Sequence, residues 1–199
     1  MSLPLIQIIR NAFTWSSGFA VDADGCPRAY HPDGHSGLDY LANAGHVGQW
    51  YGLVCNASGQ PIVQGPNDPC PGFYVSPTAL VDRSKAWNDP HRYVDSETVP
   101  YIAVPPELRS RGVQLGDVCS VQYRDRRYGA VVADIGPHGK IGEGSISLAA
   151  ALGIPSSPRN GGVDSGVTWH VFRGSARGWP RSLNDVLTQA DLLFQQWQS

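Results

Sequence analysis

The sequence predicts a mainly β, loop-rich chain with few helices, and three observations lead there. Glycine (23) and proline (16) make up about a fifth of the 199 residues, against roughly 12% in an average protein, so the chain must turn often. The apolar runs are short, and most are closed by proline or glycine. Helical spacing is sustained in only two places, after Ser145 and at the C-terminus.

Taken in order, the residues after Trp15 are rich in turns. Asp22-Ala-Asp-Gly-Cys-Pro and His31-Pro-Asp-Gly-His-Ser-Gly read as successive tight bends. Trp50–Cys55 and Pro61–Gln64 are short strand candidates on either side of the hairpin signal Asn56-Ala-Ser-Gly59, and Phe73–Leu80 and Tyr101–Val104 are two more. The strongest hairpin runs from Asp117–Tyr123 through Arg124 to Arg126 into Tyr128–Asp134. Its second arm is almost wholly small and apolar, as a buried strand requires. Ser145 caps a short helix, Ile146 to Leu152, which Gly153 and Pro155 stop. Thr168–Phe172 is a last strand. In the final helix, about 182–198, Leu183, Val186, Leu187, Ala190, Leu193, Phe194 and Trp197 form one stripe, read as core packing.

A chain of this length is most economically one domain, 1–199, with a core large enough to need no metal or disulfide staple. Its net charge of −2 and pI near 6.3 offer no basic stripe for nucleic acid. No apolar run approaches a membrane span, and a monomer is expected. The first fifteen residues place their one cation after the apolar ones, so they do not read as a secretory signal peptide; an extracellular protein or signal-independent export is expected. Cys26, Cys55, Cys70 and Cys119 form no Cys-x-x-Cys zinc motif. Cys55 and Cys70 flank a short Pro/Gly/Asn loop and are the expected bridge.

The chemistry concentrates in Ala130–Ala149, where an apolar run ends in Asp134 and a glycine-rich loop delivers Glu143 nine positions later. Gly136, Pro137, Gly139 and Gly142 let that loop fold back, so two carboxyl groups can face one bond. Glycoside hydrolysis needs such a pair, one acid kept protonated for the leaving oxygen and one ionised group to activate water or attack carbon. Glu143 has only Lys140 as a nearby cation in sequence, which favours its protonated form. Spacing alone leaves a second reading open, in which Asp134 merely closes a strand and Glu143 complements a helix dipole.

Asp22-Ala-Asp-Gly25, Val99–Pro105, Gly116-Asp-Val-Cys119, Ala130–Asp134 and Lys140–Ala149 together resemble the fungal-type chitosanases of glycoside hydrolase family 75. The resemblance runs in order from about 20 to about 173 and is most specific in the Asp134–Ala149 block. It implies endo-hydrolysis of β-1,4-linked glucosamine polymer with inversion, and an essential pair that falls on Asp134 and Glu143. We assign Glu143 as general acid and Asp134 as general base. The Asp-x-Gly-loop-acid pattern also resembles the loop of small double-psi β-barrels, which implies a six-stranded barrel with short peripheral helices and a C-terminal helix.

A glucosamine polymer carries an ammonium on each sugar, so acidic side chains and aromatic faces should line its groove. Asp22, Asp24, Asp39, Tyr40, Trp50 and Tyr74 are the candidates, with Asp33, Tyr30, Tyr51 and Trp87 behind them. No cofactor is expected. Asp22-x-Asp-Gly lacks the rest of a calcium loop, and His31, His35 and His46 lie in a turn region where histidine is commonly just solvated, so no metal is expected. Two rivals remain: a peptidoglycan-cleaving, muramidase-type effector on the same scaffold, and a non-catalytic carbohydrate-binding module.

Overall fold

The structure, a computed structural model, describes residues 6–199; the first five residues, part of the stretch judged not to be a signal peptide, lie outside it. Strand formation begins earlier than the sequence suggested. β1 (Gln7–Ile9) turns through Arg10 and Asn11, both at positive φ, into β2 (Ala12–Asp22). The polar run Ser16-Ser17-Gly18 concealed β2 by interrupting the apolar alternation of Phe13 and Trp15. In the fold that run stays in the strand, and the last strand carries the extra residues where the pairing slips between Ser17 and Phe19, whose partners are Val167 and Val163.

Residues 23–100 contribute no strand to the main sheet. They carry the two-residue strands β3 (Gly45–His46) and β4 (Gln49–Trp50), isolated bridges at Cys55/Pro61, Val63/Tyr74 and Val81/Tyr93, and single 3-10 turns at Leu41–Ala44 and Pro90–Arg92. The strands expected at Trp50–Cys55, Pro61–Gln64 and Phe73–Leu80 are therefore single extended pairings, because proline and glycine interrupt each ladder after a step or two. Asn56–Gly59 is the tight turn expected: Gly59 N donates to Asn56 O at 2.9 Å, and the Asn56 side chain accepts from Ser58 N and Gln60 N.

The remaining elements follow the sequence closely. β5 (Tyr101–Val104) and α1 (Pro106–Ser110) precede a hairpin of β6 (Val118–Tyr123) and β7 (Arg126–Ile135). Its turn is only Arg124-Asp125, since Arg126 already pairs with Tyr123. β8 (Glu143–Ser145) leads directly into α2 (Ile146–Leu152), where the Ser145 hydroxyl accepts from Leu148 N and Gly153 takes the left-handed conformation that ends the helix. β9 (Val163–Phe172) and α3 (Leu183–Gln198) complete the chain.

Six strands close on themselves in the order β2-β8-β5-β7-β6-β9, with β9 returning to β2. The β2/β8 and β5/β7 contacts are parallel and the others antiparallel. This is the mainly β barrel with short helices and a C-terminal helix that the sequence predicted. Phe13, Trp15, Phe19, Ile102, Val104, Val121, Val132 and Trp169 fill its interior, with Trp15 and Trp169 stacked at 6.0 Å. Trp169→Ala would cost about 3–5 kcal/mol by leaving a cavity there. Outside the barrel, Val186, Ala190 and Phe194 of α3 cover Val118 and Val131, as the helical stripe required, although Leu183 at its start is exposed. No helix among the described residues is long and apolar enough to cross a membrane.

All four cysteines are free, so the expected Cys55–Cys70 bridge is absent. The loop it was to tether is held instead by Gln64, whose side chain accepts from Cys70 N at 3.1 Å and donates to the carbonyls of Pro27 and Tyr74.

Candidate active site

The acids are placed by strand register. Ala103 in the middle of the barrel wall pairs with Asp134 on one side, through β5/β7, and with Glu143 on the other, through β5/β8. The two Cα atoms thus stand about two inter-strand spacings, roughly 10 Å, apart. Ile102 and Val104 point into the barrel, so Ala103 between them faces outward with Glu143 opposite it. Asp134, two residues after the inward Val132, joins their face because the β5/β7 pairing slips by one residue between Ile102 and Ala103, and Ala103 supplies only a methyl group between the two acids. Glu143 is also in register with Ala20 of β2, which brings Asp22, two residues further on, to the same outer face.

The irregular segment 23–100 covers this face. Asp24 N donates to Asp22 Oδ1 at 2.8 Å, folding the chain into an Asx turn that presents a fourth acid. Asp24 Oδ1 accepts from the Tyr30 hydroxyl at 2.8 Å and from Ser76 Oγ at 3.2 Å, while the Tyr101 hydroxyl donates to the Asp24 carbonyl at 2.8 Å. Ala79 N donates to Asp134 Oδ1 at 2.9 Å. Beneath the roof, Ala23, Cys26, Ala29, Tyr30, Ala44 and Leu53 make a small core of their own.

Two glycines make the loop between the acids possible. At Gly136 a side-chain carbon would come within 3.0 Å of Glu143 Oε2. Gly142 adopts φ 96°, and a side chain there would meet Gly18 O and Ser17 Oγ at 2.6 Å, so the residue before Glu143 can be nothing larger.

Electrostatically the four carboxyl groups act as a cluster. Glu143 is pushed up to about 8, first by loss of hydration and then by the charges of Asp22 and Asp134; Lys140 opposes this weakly. Asp134 is raised to about 7 by loss of hydration and by Asp22, against the hydrogen bonds from Ile135 and Ala79. Burial likewise raises Asp22, and raises Asp24 well above the ordinary range with help from Asp22, Asp134 and Glu143. Asp134 and Glu143 nonetheless keep some solvent contact, so a water can reach them.

The structure therefore brings together Asp22, Asp24, Asp134 and Glu143. Asp39 lies in a second ring: its carboxylate accepts from Tyr40 N and Asn43 Nδ2, and its charge adds to the rise at Asp22. Tyr40 is exposed, with the Arg159 guanidinium 4.6 Å over its ring, so one face is already taken. Trp50 and Tyr74 are half-buried and pack against the roof core. Sequence reasoning missed Tyr101, Ser76 and the Ala79 amide. Only Tyr101 left a trace, as a hydroxyl-bearing residue in the otherwise aliphatic strand Tyr-Ile-Ala-Val.

Among the described residues, Cys26, Asp95 and Glu97 hold possible metal-ligand atoms within 4.8 Å of one another. They suit a cation poorly. Glu97 is already paired with Arg28, whose Nε lies 2.7 Å away, and burial pushes the Cys26 thiol up and keeps it protonated. No protein-family model matches the chain, and no curated protein does.

Proposed function

We propose that this protein is a glycoside hydrolase that cuts a glucosamine polymer of the chitosan type by single displacement with inversion. The observation that carries the reading is the register of Asp134 and Glu143 on either side of Ala103. A Cα separation of roughly 10 Å, reduced as the side chains lean together, suits the carboxyl spacing of about 6.5–9.5 Å that leaves room for a water. The likeness of the Asp134–Ala149 block to family 75 chitosanases points the same way.

Glu143 is the group that burial and neighbouring charge hold protonated furthest up the pH scale, and it serves as general acid to the departing oxygen. Asp134, anchored by the Ala79 amide, takes the proton from the attacking water. The water oxygen bonds to the anomeric carbon as the glycosidic bond breaks, the leaving oxygen receives the Glu143 proton, and Asp134 ends protonated. A cationic substrate fits this cluster: each ammonium brought near it lowers the carboxyl pKa values, favouring ionised Asp134 once the polymer is bound. The wild-type chain should release reducing ends from soluble chitosan and not from peptidoglycan sacculi, and Glu143→Gln should abolish that release. Binding of chitosan without any product from wild type would identify a carbohydrate-binding module and overturn the reading.

A further inference from the structure

We propose that the cleft beside Glu143, between residues 18–20 of β2 and the start of β9, is a subsite for glucosamine units of the polymer, with Asp164 as the anion that recognises the sugar ammonium. This rests on the reading of the acid cluster as a glycoside hydrolase site. The cleft, about 570 Å³, is lined by Gly18, Ala20, Gly142, Asn160, Gly162 and Asp164 among others. Its position follows from register: Ala20 pairs with Glu143 through β2/β8, and Phe19 pairs with Val163 through β2/β9, so the cleft lies on the wall next to the strand that carries the general acid, with Gly142, the residue before it, in the lining.

Three features fit a sugar chain. Phe19 points into the barrel core, so its neighbour Ala20 turns outward onto the same face as Glu143, and Asp164 is exposed in the stretch of β9 that the register slip leaves unpaired with β2. Ala20 is exposed and contributes only a methyl group, which leaves the way open where a larger residue would block it. The glycines give the floor a flat backbone surface with no side chain to hold a pyranose ring away. Asp164 is the one charged residue lining the cleft, it is exposed, and Asn160 beside it offers a carboxamide to hydroxyl groups. Since Asp164 is anionic and no cation among the described residues lines the cleft, a free amine is preferred there over its acetylated form.

Binding tests the cleft separately from catalysis. In full-length Glu143→Gln protein, glucosamine hexamer should shift the amide NMR signals of residues 18–20 and 160–164. By calorimetry at low salt, adding Asp164→Asn should weaken hexamer binding roughly five-fold. Affinity for N-acetylglucosamine hexamer should change less than about two-fold, since no charge is lost to it. Ala20→Arg, which fills and charges the cleft, should weaken glucosamine hexamer about twenty-fold or more. If both variants, confirmed folded by their thermal transitions, bind the hexamer like their parent while wild type still cleaves chitosan, the cleft falls and the hydrolase reading stands. If Asp164→Asn weakens both hexamers equally, ammonium recognition at Asp164 is refuted. If the hexamer binds nowhere and chitosan is not cut, both proposals fall.

Discussion

Asp117 and Asp134 stand at the open end of the same β6/β7 hairpin, and both are raised by loss of hydration, yet their surroundings differ in kind. Asp117 is fully enclosed, with Oδ1 accepting from Ser175 N at 2.8 Å and Ala176 N at 3.0 Å, and Oδ2 from Gln114 N at 2.8 Å. Its acceptors are occupied by backbone, whose hydrogen bonds are the main opposition to the rise from burial. Asp134 accepts from one amide of the roof, keeps contact with water and feels the charge of Asp22. Burial by itself therefore does not mark a reactive carboxylate. Spare acceptor capacity and neighbouring acids do, because they leave a proton whose position is undecided near neutral pH.

The sharpest way to break this contrast is to remove the charges one at a time. Asp134→Asn and Glu143→Gln should each lower kcat on soluble chitosan by about 10³-fold or more while the protein stays folded, as the loss of a general acid or base at the reacting bond requires. Near-wild-type turnover in both variants would end the two-carboxylate mechanism. Asp117→Ala should do the opposite. Three backbone N–H groups lose their acceptor in a buried place, so urea denaturation should show a loss of about 2–4 kcal/mol. Turnover per folded molecule should remain, and a kcat loss in folded Asp117→Ala matching that of the Glu143 variant would erase the distinction.

How much of this was legible in the sequence follows from where the information lies. The β6/β7 hairpin, the Ser145-capped helix and the α3 stripe are set by local pattern, and each is found where the pattern placed it. β2 was not seen, because its Ser16-Ser17-Gly18 run breaks the apolar alternation, and the strand is defined only by its pairing with β8 and β9. The acid pair could be read from the strand end and the glycine loop. Its geometry could not, since Ala103, the residue that spaces the two acids, is one alanine in an aliphatic run. The roof was least legible: its Ala79 amide and Ser76 hydroxyl reach the acids only through long-range packing, as the Tyr101 hydroxyl of β5 reaches the Asp24 carbonyl. The expected cysteine bridge failed for a related reason, since Gln64 already closes that loop with hydrogen bonds.

A smaller effect sharpens the role of position. Gly136→Ala adds one carbon about 3.0 Å from Glu143 Oε2, at a backbone conformation that needs no glycine, so the flexible carboxyl end must move by a few tenths of an ångström. Turnover should fall about ten-fold with the thermal transition nearly unchanged, because general acid catalysis depends steeply on placement. Unaltered kcat in this variant would show that the glutamate tolerates displacement and weaken its assignment as the proton donor.

The smallest expected effect lies in stability against pH, and its sign separates the two kinds of acid. Asp134 at about 7 and Glu143 at about 8 have folded pKa values above the ordinary 3.8 and 4.5. Their contribution to folding is therefore complete below about pH 4 and is lost as pH rises through 7 to 8, when a proton must leave a crowded, poorly hydrated site. Glu143→Gln keeps the shape and removes that titration. Urea unfolding should find it within about 0.5 kcal/mol of wild type at pH 5 and more stable by about 1–2 kcal/mol at pH 9, a figure reduced from the full shift because the group keeps solvent contact. Asp117→Asn should destabilise at both pH values, since an amide has one acceptor oxygen where the two carboxylate oxygens accept from three backbone N–H groups. A Glu143→Gln variant with the same stability difference at pH 5 and pH 9 would mean that its carboxyl titrates normally and that the cluster does not hold its proton.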